Sequence, residues 1–366
     1  MSAVTVHFGT NRNRTADGEL FGTDFASSSS PGRYVPGRIT LHKIGQGADF
    51  GWGWDETSLE LDSPIDPKSG KAATMALKAI APAGGVESAG AARFASEAMA
   101  RARSLKGPAG IALFHLHGFA STFRDSMNRA AQIADNYGAS SIFTFSWPAN
   151  GRVNLKDYRL DRDAAEKSAR AVADALARFL ATVGDPGNGS PATFELVAHS
   201  MGAYALRHAV LAIHKARPDL LQQAAFRNAF LMAPDEDDDA LGLLTKLGRL
   251  YDVADMVQVY RSGGDLALFA SRTFLNGVER LGLVGPLNWA KLPTGRTVSV
   301  DCSDVGSTSN ELGKSHFGHQ YYRVRPEVLR DVRAVLAGVV PGSIPGRYPA
   351  MAPRPGEVEY YIGYGP

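Results

Sequence analysis

The stretch Phe194–Ala203, which reads Phe-Glu-Leu-Val-Ala-His-Ser-Met-Gly-Ala, decides the fold. β-favouring, mostly apolar residues run up to Ala198, a serine follows among small residues, and an alanine-rich helical pattern begins at Ala203. This order predicts a strand, a very tight turn and a helix, with the hydroxyl of Ser200 held up at the turn for nucleophilic attack. Such a turn needs small residues two positions before and after the serine, and Ala198 and Gly202 meet that need. The usual residue at the first position is glycine, from which alanine departs by one methyl group.

Strands and helices alternate from about residue 106 to residue 340. Short apolar runs predict strands, and segments with apolar residues at helical spacing separate them. The pattern predicts an α/β protein with a mostly parallel central sheet and helices on both faces, and with the serine turn this is the α/β-hydrolase fold. The predicted strands are Gly110–His115, Ser141–Ser146, Phe194–Ala198, Ala229–Ala233, Met256–Tyr260 and Thr297–Asp301, and the predicted helices are Ser126–Tyr137, Asp161–Val183, Ala203–Ala216 and Arg325–Val340.

The two ends of the chain differ from this core, which spans residues 106–340. Residues 1–105 are predicted to be an N-terminal extension packed on the core, with strands at Val4–Phe8 and Gly37–His42 and a helix at Val86–Lys106. Residues 341–366 are dense in proline and glycine and predict an extended C-terminal tail. The tyrosines of this tail favour docking on the body or on a second subunit as a homo-oligomer contact, and a frayed end is the alternative.

Composition excludes several classes of function. The chain has 39 basic and 37 acidic residues, a balance that gives no electrostatic basis for binding nucleic acid. No apolar run reaches the length of a membrane span, and the first residues lack the pattern of a signal peptide. The single cysteine, Cys302, is expected to be buried and inert. A cytoplasmic protein is the simplest interpretation.

A serine hydroxyl becomes nucleophilic only with a base to take its proton and an acid to orient that base. In this fold the chain order is serine, acid, histidine, each at the carboxyl end of a successive strand. The acid has two candidates, Asp265 after Met256–Tyr260 and Asp235 after Ala229–Ala233. Asp265 is favoured because the acid most often follows the later strand, whereas Asp235 opens an acidic run typical of a solvated helix start.

The base also has two candidates, His316 and His319, in the loop after Thr297–Asp301. His319 is favoured because it lies nearer the last helix, within the sequence Gly-His-Gln-Tyr-Tyr. His316 is the alternative.

Two backbone N–H groups are expected to stabilise the oxyanion that forms on the substrate. One belongs to Met201, directly after the serine, and the other to Phe119, in the loop after Gly110–His115. Gly118 is expected to let this loop turn inward. The strand spacing of His115 and His117 resembles that of metal ligands, but no third ligand matches, so neither a metal nor an organic cofactor is predicted.

Two long apolar segments, Ala240–Ala254 and Leu266–Leu292, are expected to wall the catalytic face and to favour an apolar acyl or alcohol group. Trp147, at the end of Ser141–Ser146, is expected either to line the same cavity or to pack in the core.

Six short motifs follow one another along the chain: Phe8–Arg12, Phe114–Phe119, Phe143–Pro148, Ala198–Gly202, Met232–Asp235 and Gly318–Tyr322. Together they resemble the bacterial α/β-hydrolase family DUF900, over about Val4 to Leu336. The resemblance implies Ser200 as nucleophile, an acid at the Asp265 position, His319 as base, and no metal or organic cofactor. It implies a hydrolase- or esterase-like activity and no particular substrate.

The resulting hypothesis is a serine hydrolase that cleaves small-molecule carboxylic esters through an acyl-enzyme, with a triad of Ser200, His319 and Asp265. One alternative is a catalytically silent scaffold that binds a small molecule or a protein partner. Another is an acyltransferase or thioesterase, which would use the same residues.

Overall fold

The structure is a computed structural model that describes residues 3–15, 20–26, 34–45, 51–61, 90–104, 110–185, 192–221, 225–306, 317–350 and 356–363. The strands in these ranges are β1 (Ala3–Thr10), β2 (Arg12–Arg14), β3 (Phe21–Phe25), β4 (Val35–Ile44), β5 (Gly51–Leu61), β6 (Ile111–Leu116), β7 (Ser141–Ser146), β8 (Thr193–His199), β9 (Phe226–Met232), β10 (Ala254–Arg261), β11 (Thr297–Asp301), β12 (Arg347–Pro349) and β13 (Glu359–Ile362).

The α-helices in the same ranges are α1 (Gly90–Ser104), α2 (Phe123–Tyr137), α3 (Leu155–Lys167), α4 (Ala169–Val183), α5 (Met201–Ala216), α6 (Leu266–Ser271), α7 (Leu281–Val284), α8 (Ser303–Gly306), α9 (Tyr321–Val324) and α10 (Pro326–Leu336). A π-helical turn at Arg272–Asn276 continues α6. Short 3₁₀ turns occupy Pro218–Leu221, Ala240–Gly242, Leu247–Asp252, Trp289–Lys291 and Pro341–Ser343. None of the described helices is both long enough and apolar enough to cross a membrane.

One eleven-stranded sheet organises the described residues, in the order β12-β13-β11-β10-β9-β8-β6-β7-β1-β4-β5. The strands from β13 to β1 run parallel to their neighbours, and β12, β4 and β5 are antiparallel additions at the two edges. From the centre, the chain builds outward through β7 on one side of β6 and through β8 to β11 on the other. The strand order therefore reverses its direction at β6. Where the strand order of a parallel sheet reverses, the loops on the two sides diverge and leave a crevice beyond the carboxyl ends of the strands. The loops after β6 and β8 border this crevice.

Both ends of the chain contribute strands to this sheet. From the N-terminal segment, β1 pairs in parallel with β7, and from the C-terminal segment β13 pairs in parallel with β11. Arg347 in β12 fastens the C-terminal segment, because its buried guanidinium donates to the carboxylate of Asp331 over 2.5 and 2.6 Å. The tyrosine-rich segment therefore docks within its own chain over its described residues.

Side chains alternate between the two faces of the sheet and build a core on each. On one face Phe114 packs with Phe143 and Phe179, beneath α1, α4 and α5. On the other face Leu113 and Ile142 belong to the cluster covered by α2 and α10.

The long helix predicted over Asp161–Val183 is two helices, α3 and α4, separated at Ser168. The hydroxyl of Ser168 donates to the carbonyl of Ala164 over 2.7 Å and accepts from the amide of Asn11 over 3.0 Å. Serine hydroxyls that bond to the preceding turn compete with the helical ladder and favour such breaks. The helical periodicity continues through Ser168, which is why the sequence pattern does not show the break.

Candidate active site

Ser200 stands at the turn between β8 and α5 with φ 54° and ψ −122°. A non-glycine residue with positive φ is strained, and such strain persists only where the surroundings enforce it. Here the N–H of Ser200 donates to the carbonyl of Met232 over 2.9 Å, and its carbonyl accepts from the N–H of Asp235 over 3.1 Å. The last residue of β9 and the loop that follows it therefore hold the serine in this conformation.

Two glycines let the loop after β6 approach this turn. A Cβ on Gly202 would lie 2.5 Å from the carbonyl oxygen of Leu116 and 2.7 Å from that of His117. A Cβ on Gly118 would lie 3.0 Å from the Cβ of Ser200. Gly118 thus serves close approach, and the left-handed backbone in this loop falls on Ala120, at φ 52°.

Asp265 and His319 meet beside this turn. The carboxylate Oδ2 of Asp265 lies 2.6 Å from Nδ1 of His319, and the carboxylate is fully buried. Its other oxygen accepts from the N–H of Leu268 over 3.0 Å, so Asp265 also caps the start of α6. Because the carboxylate accepts from Nδ1–H, Nε2 of His319 keeps a lone pair free for a proton.

Three further contacts anchor the segment that carries His319. The carbonyl of Phe317 accepts from the N–H of Leu266 over 3.0 Å, and the hydroxyl of Tyr321 donates to the carbonyl of Tyr260 over 2.9 Å. Nε2 of His199 lies 3.2 Å from the carbonyl oxygen of His319 and donates to it. Burial, and then the nearby His319, lower the pKa of His199 well below its usual value, so this ring is neutral. His199 is therefore a support of the His319 backbone.

Asp235, the alternative acid, is also buried next to the serine turn but has other partners. Its carboxylate accepts from Nε of Arg280 over 2.9 Å, from the hydroxyl of Tyr158 over 2.6 Å and from that of Ser271 over 2.7 Å. Burial acts to raise the pKa of Asp235, but Arg280 and the two hydroxyls outweigh it and hold the pKa below its ordinary value. It forms a buried ion pair, whereas Asp265 contacts the histidine. His316, the alternative base, lies outside the described residues.

The two predicted oxyanion donors flank Ser200. Met201 begins α5, and the first N–H groups of a helix have no partner within it. Phe119 and Ser200 line the same cavity. The next N–H along, that of Ala120, is occupied, because it donates to Oδ2 of Asp161 over 3.0 Å.

Two buried charged residues that the sequence analysis did not single out hold this loop. Asp161 accepts from the backbone of both Ala120 and Asn150, and burial raises its pKa to about 6. Arg12 donates to the carbonyls of Ser121 and Ala149 over 2.6 and 3.2 Å, and burial lowers its pKa to about 9, so it stays charged at neutral pH. Arg12 belongs to the motif Phe8–Arg12, and nothing in its neighbouring sequence indicates this long-range role.

His115 and His117 contact residues of the protein core and do not line the cavity. His115 Nδ1 lies 2.9 Å from the hydroxyl of Thr144, and the ring of His117 stacks on the buried Trp147 at 4.7 Å between centroids. Burial lowers the pKa of His115 to about 3 and that of His117 well below its usual value. Trp147 is fully buried, so it packs in the core. Over the described ranges, no three His, Cys, Asp or Glu side chains are grouped to hold a metal ion.

A cavity of about 380 Å³ opens above Ser200. Most of its walls are apolar, and a large share comes from α6 and the turn after it, within the predicted segment Leu266–Leu292. Among the described residues, the segment Ala240–Ala254 does not reach the cavity. Several wall residues are strongly exposed at the mouth, namely Val153 (70%), Leu155 (52%), Leu266 (60%) and Phe317 (47%).

A mostly parallel sheet with a strained serine turn after a central strand defines an α/β hydrolase. The chain belongs to the family described as α/β hydrolases of unknown function (DUF900), whose model matches residues 94–337. No curated protein matches the chain at a significant level.

Two solved structures are similar to the chain. A dienelactone hydrolase from Anabaena variabilis is 15% identical, with a TM-score of 0.34, over 64% of this chain and 86% of its own. The phospholipase PlaB from Legionella pneumophila, solved with thio-NAD, is 15% identical, with a TM-score of 0.25. The match covers 58% of this chain but only 40% of the phospholipase.

Proposed function

We propose that this protein is a serine hydrolase that cleaves carboxylic esters through an acyl-enzyme intermediate. The observation that carries the proposal is the contact of 2.6 Å between Asp265 and His319 at the cavity that Ser200 also lines. An orienting carboxylate, a histidine imidazole and a strained serine beside one cavity are the parts that acyl transfer requires.

In this mechanism the hydroxyl oxygen of Ser200 attacks the ester carbonyl carbon while Nε2 of His319 takes the hydroxyl proton. Asp265 holds the imidazole through Nδ1–H and stabilises the imidazolium that forms. The N–H groups of Phe119 and Met201 donate to the oxyanion. His319 then gives its proton to the leaving alkoxide, which departs as the alcohol. Water attacks the acyl-enzyme by the same route, releases the acid and restores Ser200.

The walls of the cavity support an apolar substrate. Leu268, Leu275 and Phe119 face the space above Ser200, and Leu266 and Phe317 extend the apolar surface to the mouth. Burying each methylene of an acyl chain on such a surface contributes about 0.8 kcal/mol. Esters of short-to-medium acyl chains are therefore the proposed substrates, and kcat/KM is expected to rise with chain length until the cavity is filled.

Turnover of 4-nitrophenyl butyrate by wild type and Ser200→Ala tests the proposal. The variant is expected to lose turnover by a factor on the order of 10⁴ to 10⁶. Ser271→Ala is the matched control, because Ser271 also lines the cavity but donates its hydroxyl to Asp235. It is expected to keep turnover within about tenfold. Equal rates for wild type and Ser200→Ala would reject the proposal, and no turnover of any ester by folded wild type would favour a silent scaffold.

A further inference from the structure

Arg129 on α2 is a cationic side chain in the wall of the cavity. Its guanidinium donates from Nη1 to the hydroxyl of Ser121. Within the described part of the chain it makes no ion pair with a carboxylate, although other arginines nearby do. Arg280, for example, pairs with Asp235 and Asp237 over 2.9 and 2.6 Å.

Neither of the two buried aspartates of the site pairs with this guanidinium. Asp235 is already paired with Arg280, and Asp265 is bonded to His319 and to the start of α6. The cavity therefore carries a positive charge on Arg129 that its own walls do not neutralise.

A second arginine with neutral partners stands behind it. Arg323 on α9 donates to the side-chain amide oxygen of Gln132 over 2.6 Å and to that of Gln320 over 2.7 Å, and Gln320 lines the cavity. It too makes no ion pair with a carboxylate among the described residues. The pKa of the neighbouring His199 is lowered mainly by burial, then by His319 and Arg129, so this ring adds no charge. This corner of the site thus holds two arginines without a directly paired carboxylate, and Asp125 on α2 is the acidic group that acts on Arg323 from a distance.

We propose that Arg129 binds an anionic group of the ester substrate, a carboxylate or a phosphate. The inference rests on the proposed ester hydrolysis and names the class of substrate for it, an ester that joins an apolar chain to an anion. A guanidinium suits either anion, because its planar N–H groups match two oxygens at once. The apolar walls would hold the chain while Arg129 fixes the charged end.

Arg129 has a competing role as a positioning residue. Its partner Ser121 donates to the carbonyl of Gly118 over 3.0 Å, so the guanidinium supports the loop that carries Phe119. If this support were its whole function, removing it would lower kcat for charged and neutral esters alike. If Arg129 binds the anion, removing it should instead raise KM selectively for the charged esters.

Two pairs of substrates separate these roles and place the anion on either side of the ester. Mono-4-nitrophenyl adipate and 4-nitrophenyl hexanoate share a six-carbon acyl chain and differ by a terminal carboxylate. 1-Butyrylglycerol 3-phosphate and 1-butyrylglycerol share an ester and differ by a phosphate on the alcohol. The quantity compared is the ratio of kcat/KM for the charged and the neutral member of each pair.

The variants are Arg129→Gln, Arg129→Lys and Ser121→Ala, with Arg124→Gln as the matched control. Arg124 lies on the same helix but stacks over Trp54, at 4.3 Å from the ring centre. Wild type is expected to prefer the charged member of at least one pair. Arg129→Gln should lower that preference on the order of ten- to a hundredfold, mainly through KM. Arg129→Lys should restore part of it, and Arg124→Gln and Ser121→Ala should keep it.

Three results would overturn the inference while leaving ester hydrolysis intact: no preference of wild type for either charged ester, equal losses on both members of a pair in Arg129→Gln, or the same loss of preference in Ser121→Ala. Failure of every ester in wild type would instead reject the underlying hydrolysis. Added salt gives an independent readout, because screening should raise KM for the charged ester more than for the neutral one.

Discussion

Substitution of the two buried aspartates beside the cavity, Asp235 and Asp265, should affect stability and catalysis differently. We expect Asp265→Asn to lose turnover while keeping most of its stability, and Asp235→Asn to lose stability while its folded fraction keeps turnover. The prediction follows from their partners, since Asp265 contacts His319 and Asp235 contacts Arg280.

In Asp265→Asn the side-chain carbonyl can still accept from the N–H of Leu268, which preserves the cap of α6. The new NH₂ group then faces Nδ1 of His319, where two donors cannot pair. The ring responds by carrying its proton on Nε2, which removes the base. A change of this kind lowers kcat by a factor on the order of 10³ to 10⁴. The lost charge at the start of α6 costs roughly 0.3 to 1 kcal/mol of stability.

In Asp235→Asn the guanidinium of Arg280 loses one of its two carboxylates and stays fully buried. Breaking a buried ion pair from one side costs about 3 to 5 kcal/mol. The free energy of unfolding is measured by urea titration, and kcat on 4-nitrophenyl butyrate is measured at a concentration where the variant is folded. Full turnover by Asp265→Asn, or a loss of a thousandfold in folded Asp235→Asn, would refute the assignment of the acid.

Three further predictions concern the frame around the site. Asp161→Asn should weaken a pH dependence. Burial raises the folded-state pKa of Asp161 from 3.8 to about 6, so this group alone lowers the unfolding free energy of wild type by about 3 kcal/mol as pH rises through this interval. The variant should lack this contribution. Equal pH profiles in urea titrations would contradict this. Gly202→Ala places a Cβ 2.5 Å from a carbonyl oxygen and should lower the free energy of unfolding on the order of 3 kcal/mol and also lower turnover. Gly51→Ala is the control, because its Cβ meets nothing nearer than 3.8 Å, and it should change little in the same unfolding and turnover assays. Equal effects of the two variants would count against the close packing of the serine turn. Arg347→Met leaves the buried Asp331 without its cation and should lower the free energy of unfolding by about 3 to 5 kcal/mol. The double variant with Asp331→Asn should recover part of this loss. A melting temperature unchanged by Arg347→Met would show that the C-terminal strands do not depend on this pair.

The serine turn could be predicted from the sequence because its constraints are local. The strand, the small residues around Ser200 and the following helix all lie within about ten positions, and the structure gives Ser200 the strained backbone that this pattern implies. The alternation of strands and helices likewise predicts the parallel sheet. Each strand is apolar on both faces and each helix on one, so burial dictates the layers.

The choice between Asp235 and Asp265 illustrates what the sequence leaves open. Both follow parallel strands and both are buried beside the cavity. Their partners differ because Arg280, 45 positions after Asp235, returns to neutralise it. No local pattern marks that pairing, so the sequence supports only a preference for Asp265.

The positions of Arg12 and Arg129 at the site also depend on long-range contacts that no local pattern marks. Arg12 lies far from the serine turn in the chain, yet β1 pairs with β7 and brings it against the loop after β6. In the sequence, Arg129 is one of several polar residues of a segment predicted to be an amphipathic helix. Its position in the cavity depends on how α2 packs, which the periodicity of the helix does not specify.

The proposed hydrolysis depends on activation of the Ser200 hydroxyl by His319. Labelling of the folded protein with a fluorophosphonate, followed by mass spectrometry of the modified peptide, measures this activation. One adduct is expected, on Ser200 and not on Ser271, and it should form slower by a factor of about a hundred or more in His319→Ala. A folded wild type that remains unlabelled, or that labels as fast without the imidazole, would contradict it.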